Sequence, residues 1–272
     1  MKTSNPVLAR LGQAAERERA AGYAPAGPYG QPGYGQPYPT TAGAYPAAPP
    51  TVAPMTIDDV VVKTVTLLAI TGAAATAAWV LVPDALMGVA WIGALVVGLV
   101  LGLVISFSRM ANPALVVAYA VVEGVLVGAV SKAYESFYDG IVLQAVVATF
   151  GVFFLMAILY RAKAIRATPK FVRGVIAAMV GLVAVILINL VLSLFGFDTG
   201  LRSGGPLAIG FSLICIVVAS LSFILSFHEV EEGVRMGLPQ RYSWTAAFGI
   251  LVSLIWLYFE VLRLISYFQG DD

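Results

Sequence analysis

The feature that most limits what this chain can fold into is a series of long stretches without charge. Twenty residues separate Lys63 from Asp84, 24 separate Asp84 from Arg109, and 22 separate Arg109 from Lys132, the last broken only by Glu123. Asp139 to Arg161 encloses 21 residues, Arg173 to Asp198 encloses 24, Arg202 to His228 encloses 25, and 18 follow Arg241 before Glu260. A helix advances about 1.5 Å per residue and needs about 20 apolar residues to cross the hydrocarbon core of a bilayer. Membrane-spanning strands would alternate apolar and polar residues, and these stretches do not. The chain therefore reads as an all-α integral membrane protein. Its seven transmembrane helices fall at about 62–83, 86–108, 112–132, 140–161, 173–197, 205–228 and 243–268. Composition supports this, since only 11% of the 272 residues are charged and mean hydropathy is +0.89, whereas soluble domains carry roughly 25% charged residues.

Lysine and arginine set the expected orientation. One side of a seven-span chain holds the N-terminal tail, the turn at Arg109 and the loops 161–173 and 229–241. That side carries thirteen of the sixteen cations: Lys2, Arg10, Arg17, Arg19, Lys63, Arg109, Arg161, Lys163, Arg166, Lys170, Arg173, Arg235 and Arg241. Lys132, Arg202 and Arg263 remain for the other. Cytoplasmic loops are enriched in Lys and Arg, so the N-terminus is expected in the cytoplasm, the C-terminus outside, and the protein in the cell membrane.

Residues 1–55 are expected to form a cytoplasmic, largely disordered tail, and 56–270 the transmembrane domain. Nine of the fifteen prolines lie between 20 and 55, around the near-repeat Tyr29-Gly30-Gln31-Pro32-Gly33-Tyr34-Gly35-Gln36-Pro37, a composition that cannot bury a core. No apolar run precedes residue 60, so no cleavable signal peptide of the usual layout is expected. The single cysteine, Cys215, lies within span six and is read as a packing residue.

Small residues recur every fourth position at Ala94, Gly98 and Gly102 in span two and at Ala120, Gly124 and Gly128 in span three, a pattern that lets helix backbones approach closely. Glu123 lies beside the second of these stripes, one turn after Tyr119, and is expected to face a neighbouring helix. Its role is either a hydrogen bond between helices or a place on an ion path. Asn189, within span five, also needs an internal partner.

Span seven places Ser253, Trp256, Glu260, Arg263 and Tyr267 on one helix face. A charge near a bilayer centre costs at least ~2.5–3.5 kcal/mol, so Glu260 demands an explanation. It can pair with Arg263 within the helix, as buried ion pairs do without any function. It can instead meet a second acid from the end of span six, where Glu229 and Glu231 follow His228, the only histidine. Two carboxylates brought together share a proton and titrate as a pair, and their oxygens suit a hard cation such as Ca²⁺. Glu260 with Glu229 would form a transient Ca²⁺ site.

The sequence resembles the Bax inhibitor-1/YccA family, or transmembrane Bax-inhibitor-motif family, in its bacterial branch. The matching pieces are Ser4-Asn5-Pro6-Val7-Leu8, Met55-Thr56-Ile57-Asp58-Asp59-Val60-Val61-Val62-Lys63, Asn112-Pro113-Ala114 with Tyr119 and Glu123-Gly124, Glu231-Glu232-Gly233-Val234, and Trp256-Leu257-Tyr258-Phe259-Glu260-Val261-Leu262-Arg263-Leu264. The resemblance implies six helices surrounding a central seventh. It also implies a pH-sensitive calcium leak governed by two carboxylates, one on helix six and one on helix seven. Glu260 matches the helix-seven position and Glu123 an acid of the third span. Ser226 stands where the family usually has the helix-six aspartate, so that either Glu229 or Glu231 substitutes for it or the two-carboxylate latch is absent from this chain. The pH-sensing and ion-path residues so implied are Glu260, Glu229, Glu231, Glu123 and Arg263.

The expected function is thus a cation leak gated by membrane-embedded carboxylates. The competing reading is a non-conducting regulator of a membrane protease or of stress survival, which the same resemblance implies. The expected partners are the lipid bilayer, Ca²⁺ and such a membrane protein, with no resident cofactor. An enzyme is not expected: there is no glycine-rich phosphate loop, no metal-ligand spacing and no nucleophile–base arrangement with a single histidine. Nor is a retinal receptor, which would need a span-seven lysine, since the last lysine is Lys170. A net charge of +1 offers nothing to a nucleic acid.

Overall fold

A computed structural model describes residues 53–108, 111–197, 199–201 and 204–270. The tail over 1–52, with Arg109, Asp198 and Arg202, lies outside the described residues. Seven helices follow in order: α1 Ile57–Leu81, α2 Asp84–Phe107, α3 Pro113–Glu135, α4 Ile141–Arg161, α5 Pro169–Leu194, α6 Pro206–Arg235 and α7 Tyr242–Gln269. Each is long and apolar enough to cross a membrane, and no named strand occurs among the described residues.

The helix starts are written locally. Thr56 opens α1 with a reciprocal cap, its hydroxyl accepting from the Asp59 amide at 3.1 Å while the Asp59 carboxylate accepts from the Thr56 amide at 3.0 Å. Asn112 accepts from the Ala114 amide at 3.0 Å ahead of Pro113, and Thr168 from the Phe171 amide at 3.3 Å ahead of Pro169. Proline at the first helical position removes a donor that would have had no partner. Between α3 and α4 the Glu135 carboxylate accepts from the amides of Gly140 and Val142 at 2.7 and 3.0 Å. Gly140 holds the left-handed φ of +77° that this turn requires. Helix α6 outlasts the apolar run that announces it: the run stops at His228, whereas the helix continues to Arg235.

The last helix is the central one. α7 packs directly on α1, α3, α4 and α6, while α2 rests on α3 and α5 on α6. Its fully buried residues Leu257 and Leu262 join Phe223 and Ile224 of α6 and Ile141 and Ala145 of α4 in one core, while Leu251 packs with Leu67 of α1 and Val116 and Ala120 of α3 in a second. The tightest contact in the bundle is α1 against α3, and the small residues explain it. A Cβ on Gly124 would lie 2.5 Å from the Thr71 carbonyl oxygen and 2.6 Å from the Ala74 Cβ. Thr71 donates its hydroxyl to the Ala120 carbonyl across the same seam at 3.2 Å. The span-three stripe is thus a groove for α1.

Two of the gaps between helices open beside α7. The backbones of α2 and α5 stay apart on one side of α7, and those of α1 and α4 on the other. Lys63, Arg161, Lys163, Arg166, Lys170, Arg173, Arg235 and Arg241 cluster at one end of the bundle, here the basic face, while Lys132 and Arg263 lie toward the other end. At the basic face the segment before α1 is stitched to the turn between α6 and α7. The Met55 amide donates to the Leu238 carbonyl at 2.7 Å, the Gln240 amide to the Ala53 carbonyl at 2.9 Å, and the Gln240 side chain to Asp59 at 2.6 Å. Met55 itself is 3% exposed.

Candidate functional site

α2 carries Gly98 where a bulkier residue would collide with the Glu123 carboxylate: a Cβ there would sit 2.9 Å from Glu123 Oε1. The span-two stripe therefore makes room for an acid as well as for a helix. Glu123 is 8% exposed, and Tyr119, one turn earlier, packs edge-on against Phe248 with ring centroids 4.9 Å apart. Both line a cleft of about 700 Å³ in the half of the bundle nearest the basic face. The cleft opens between α2 and α5 and is floored by α6 and α7, which contribute Ser222, Ser226, Glu229, Ser253, Trp256 and Phe259. Ser222 donates to Ser253 at 3.1 Å across the α6–α7 contact. The cleft therefore holds two carboxylates from different helices, Glu229 and Glu123, with hydroxyls between them.

By helix rise, Glu229 lies about 9 Å from the end of α6 at the basic face and Glu123 about 15 Å from the start of α3 at that face. Glu260 lies deeper still, about 27 Å along α7. It is 2% exposed, and Arg263 donates to its Oε1 at 2.8 Å from one turn away on the same helix. Ser212, near the start of α6, stands 3.5 Å from the other oxygen. A buried carboxylate with a charged donor and a hydroxyl is an electrically closed unit.

Glu260 does not meet Glu229 or Glu231, so the expected carboxylate pair between helices six and seven is not formed and the Glu260–Glu229 calcium site is not assembled. The reason is register. Glu260 faces Ser212, and Glu229 lies seventeen residues further along the same unbroken helix, about 25 Å away. Glu231 turns to another side of α6, where its carboxylate accepts from the Tyr160 hydroxyl of α4. Of the five residues singled out by sequence, the structure joins Glu260 with Arg263 and gathers Glu123 with Glu229. Among the described residues no group of three His, Cys, Asp or Glu is placed to hold a metal ion. Asn189 bonds to Thr199 in the connection after its own helix.

Comparison with known proteins decides the lineage. A family model described as Bax inhibitor 1 like matches residues 5–270. The chain belongs to the Bax inhibitor 1-like family. No curated protein matches it in sequence. The match spans all seven helices of this Bax inhibitor 1-like protein, together with most of the tail.

Sequence reasoning missed Lys63. Its ammonium donates to the Ser243 hydroxyl and, at 3.3 Å, to the Gln240 carbonyl, and lies 5.4 Å from the Trp244 ring centroid. It thereby ties α1 to the start of α7. The apolar run beginning after Lys63 gave the signal, because a lysine at such a boundary needs acceptors from a neighbouring helix end.

Proposed function

We propose that this Bax inhibitor 1-like protein is a pH-sensitive cation leak that passes Ca²⁺ through the cleft between α2 and α5. The observation that carries this reading is the presence of Glu123 and Glu229 in one cleft with Ser222, Ser226 and Ser253. Glu229, nearer the basic face, offers the first oxygen ligands, and Glu123 the next. Two carboxylates and a few hydroxyls are too few for the six to eight ligands of a tight Ca²⁺ site, which suits an ion that must leave again. Protonation removes both the attraction and the ligands, so flux falls as pH falls through the titration range of the pair. Glu260 and Arg263 have a holding role in this scheme, fixing α7 against α6. The basic face is the cytoplasmic one, with the N-terminus inside, the C-terminus outside, and the protein in the cell membrane.

The test is Ca²⁺ flux into liposomes containing the purified full chain, measured from pH 5 to 8 beside empty liposomes. The expected result is flux above the empty control, rising with pH, and flattened in Glu123→Gln and Glu229→Gln. Flux equal to that of empty liposomes at every pH would sink the leak. A non-conducting regulator of a membrane protease or of stress survival then takes its place.

A further inference from the structure

On the opposite face of α7 from the acidic cleft, α1 and α4 leave a groove open to the side. It consists of two cavities that meet at Leu68 and Phe150, one of about 790 Å³ toward the basic face and one of about 560 Å³ toward the far face. Together they follow α1 from Ile57 to Val80, about 35 Å by helix rise, so the groove crosses the whole hydrocarbon layer.

Its two ends differ in charge. At the far end the nearby cation, Lys132, is bridged to Asp84 at 2.7 Å. At the basic end Arg161 and Lys163 line the mouth, both exposed, and among the described residues neither has a salt-bridge partner. The acid at that mouth, Glu231, is turned to the Tyr160 hydroxyl, which leaves the mouth with a net charge of one positive. Just inside lies Thr64, 6% exposed, whose buried hydroxyl has no hydrogen-bond partner. It lines the same cavity, about 10 Å from the start of α1. A buried hydroxyl without a partner is costly and rare, and an ester carbonyl in the basic half of the groove would supply one.

We infer that the basic half of this groove binds one anionic phospholipid. The phosphate sits between Arg161 and Lys163, an ester carbonyl accepts the Thr64 hydroxyl, and one acyl chain lies along α1 past Val61 and Val65 over Ile250. Basic pockets between transmembrane helices hold anionic head groups through charge. The groove supplies what a flat helix surface lacks, a walled channel that orders one chain. The two cations give selectivity for the head group, and Thr64 gives depth.

The test uses the purified full chain in detergent, presented with phosphatidylglycerol or phosphatidylcholine and read by native mass spectrometry. The expected result is retention of phosphatidylglycerol over phosphatidylcholine, with the preference falling about fivefold for each cation removed in Arg161→Gln and Lys163→Gln. Thr64→Val should weaken retention of both lipids without changing the preference between them. An unchanged preference in the double Arg161→Gln/Lys163→Gln variant overturns the assignment, as does equal retention of the two lipids by the native chain. A photo-crosslinker at Val65 gives an independent readout in native membranes. A phospholipid adduct supports the site, whereas capture of a second copy or of another protein refutes it.

Discussion

The two openings beside α7 share a central helix and differ in almost everything else. The α2/α5 cleft is lined by Glu123, Glu229, Tyr119 and four serines, and Gly98 of α2 makes room for an acid. The α1/α4 groove is mostly apolar along its length, with hydroxyls of threonine, serine and tyrosine between aliphatic and aromatic side chains, and its charges, Arg161, Lys163 and Glu231, are confined to the basic mouth. One helix serves both because its faces differ: Val252, Ser253 and Trp256 look into the cleft, Ile250, Leu254 and Tyr258 into the groove. Water and ions have reason to enter only the first, and lipid only the second. The comparison teaches that two gaps in the ring of helices around one core helix become two environments, because the faces of that helix differ.

The comparison breaks most severely at α7. Arg263→Leu removes the donor from Glu260, which is almost fully buried, and should cost about 3–5 kcal/mol in unfolding measurements in detergent. Glu260→Gln added to that variant should recover most of the loss, because the stranded charge disappears. Both openings are expected to fail together in Arg263→Leu.

Gly124→Val acts on the wall that the openings share, since α3 gives Tyr119 and Glu123 to one and Val127 and Gly128 to the other. Its Cβ has no room beside Thr71 and Ala74, and overpacking of this kind costs about 1–3 kcal/mol. Liposome flux and lipid retention should drop in parallel, and survival of either at the native level would show that the openings are built independently.

Glu123→Gln separates them. It keeps the shape beside Gly98, so melting should move by no more than about 1 kcal/mol while the pH profile of flux flattens and lipid retention holds. The smallest effect belongs to the groove. Thr149 is 4% exposed and its hydroxyl lacks a partner, so Thr149→Val should be neutral or stabilising by up to about 1 kcal/mol and leave flux unchanged. A clear loss of stability there would mean that the hydroxyl is satisfied by something resident in the groove.

The seven helices were legible because hydropathy and helix length reflect the same 1.5 Å rise, and the lineage because its motifs keep their order around those helices. The Glu260–Arg263 pair was legible as neighbours one turn apart. The partner of Glu260 was misjudged for a physical reason. Helical periodicity fixes the face of a residue but says nothing of its depth against another helix. The information was nonetheless present: α6 and α7 are antiparallel across the short turn at 236–241, so residues equidistant from that turn face one another. Counting outward from it sets Glu260 opposite Val217, within two turns of Ser212, and leaves Glu229 beside the first turns of α7. The grouping of Glu123 with Glu229 was beyond sequence, because α3 and α6 meet the cleft only through the way α2 and α5 are held off.

The position of α7 also governs the order in which this protein can be completed. A chain is inserted from its N-terminal end, so α1 to α6 enter the bilayer before the helix that α1, α3, α4 and α6 pack against exists. Until then those four helices have no common surface to close on, and the segment before α1 waits for Leu238 and Gln240, its hydrogen-bond partners some 180 residues downstream. A chain that stops short of residue 242 thus keeps the α1–α3 seam and the contacts of α4 and α5 on α6 but lacks the helix that joins these groups, and arrival of the last helix is the event that brings them together.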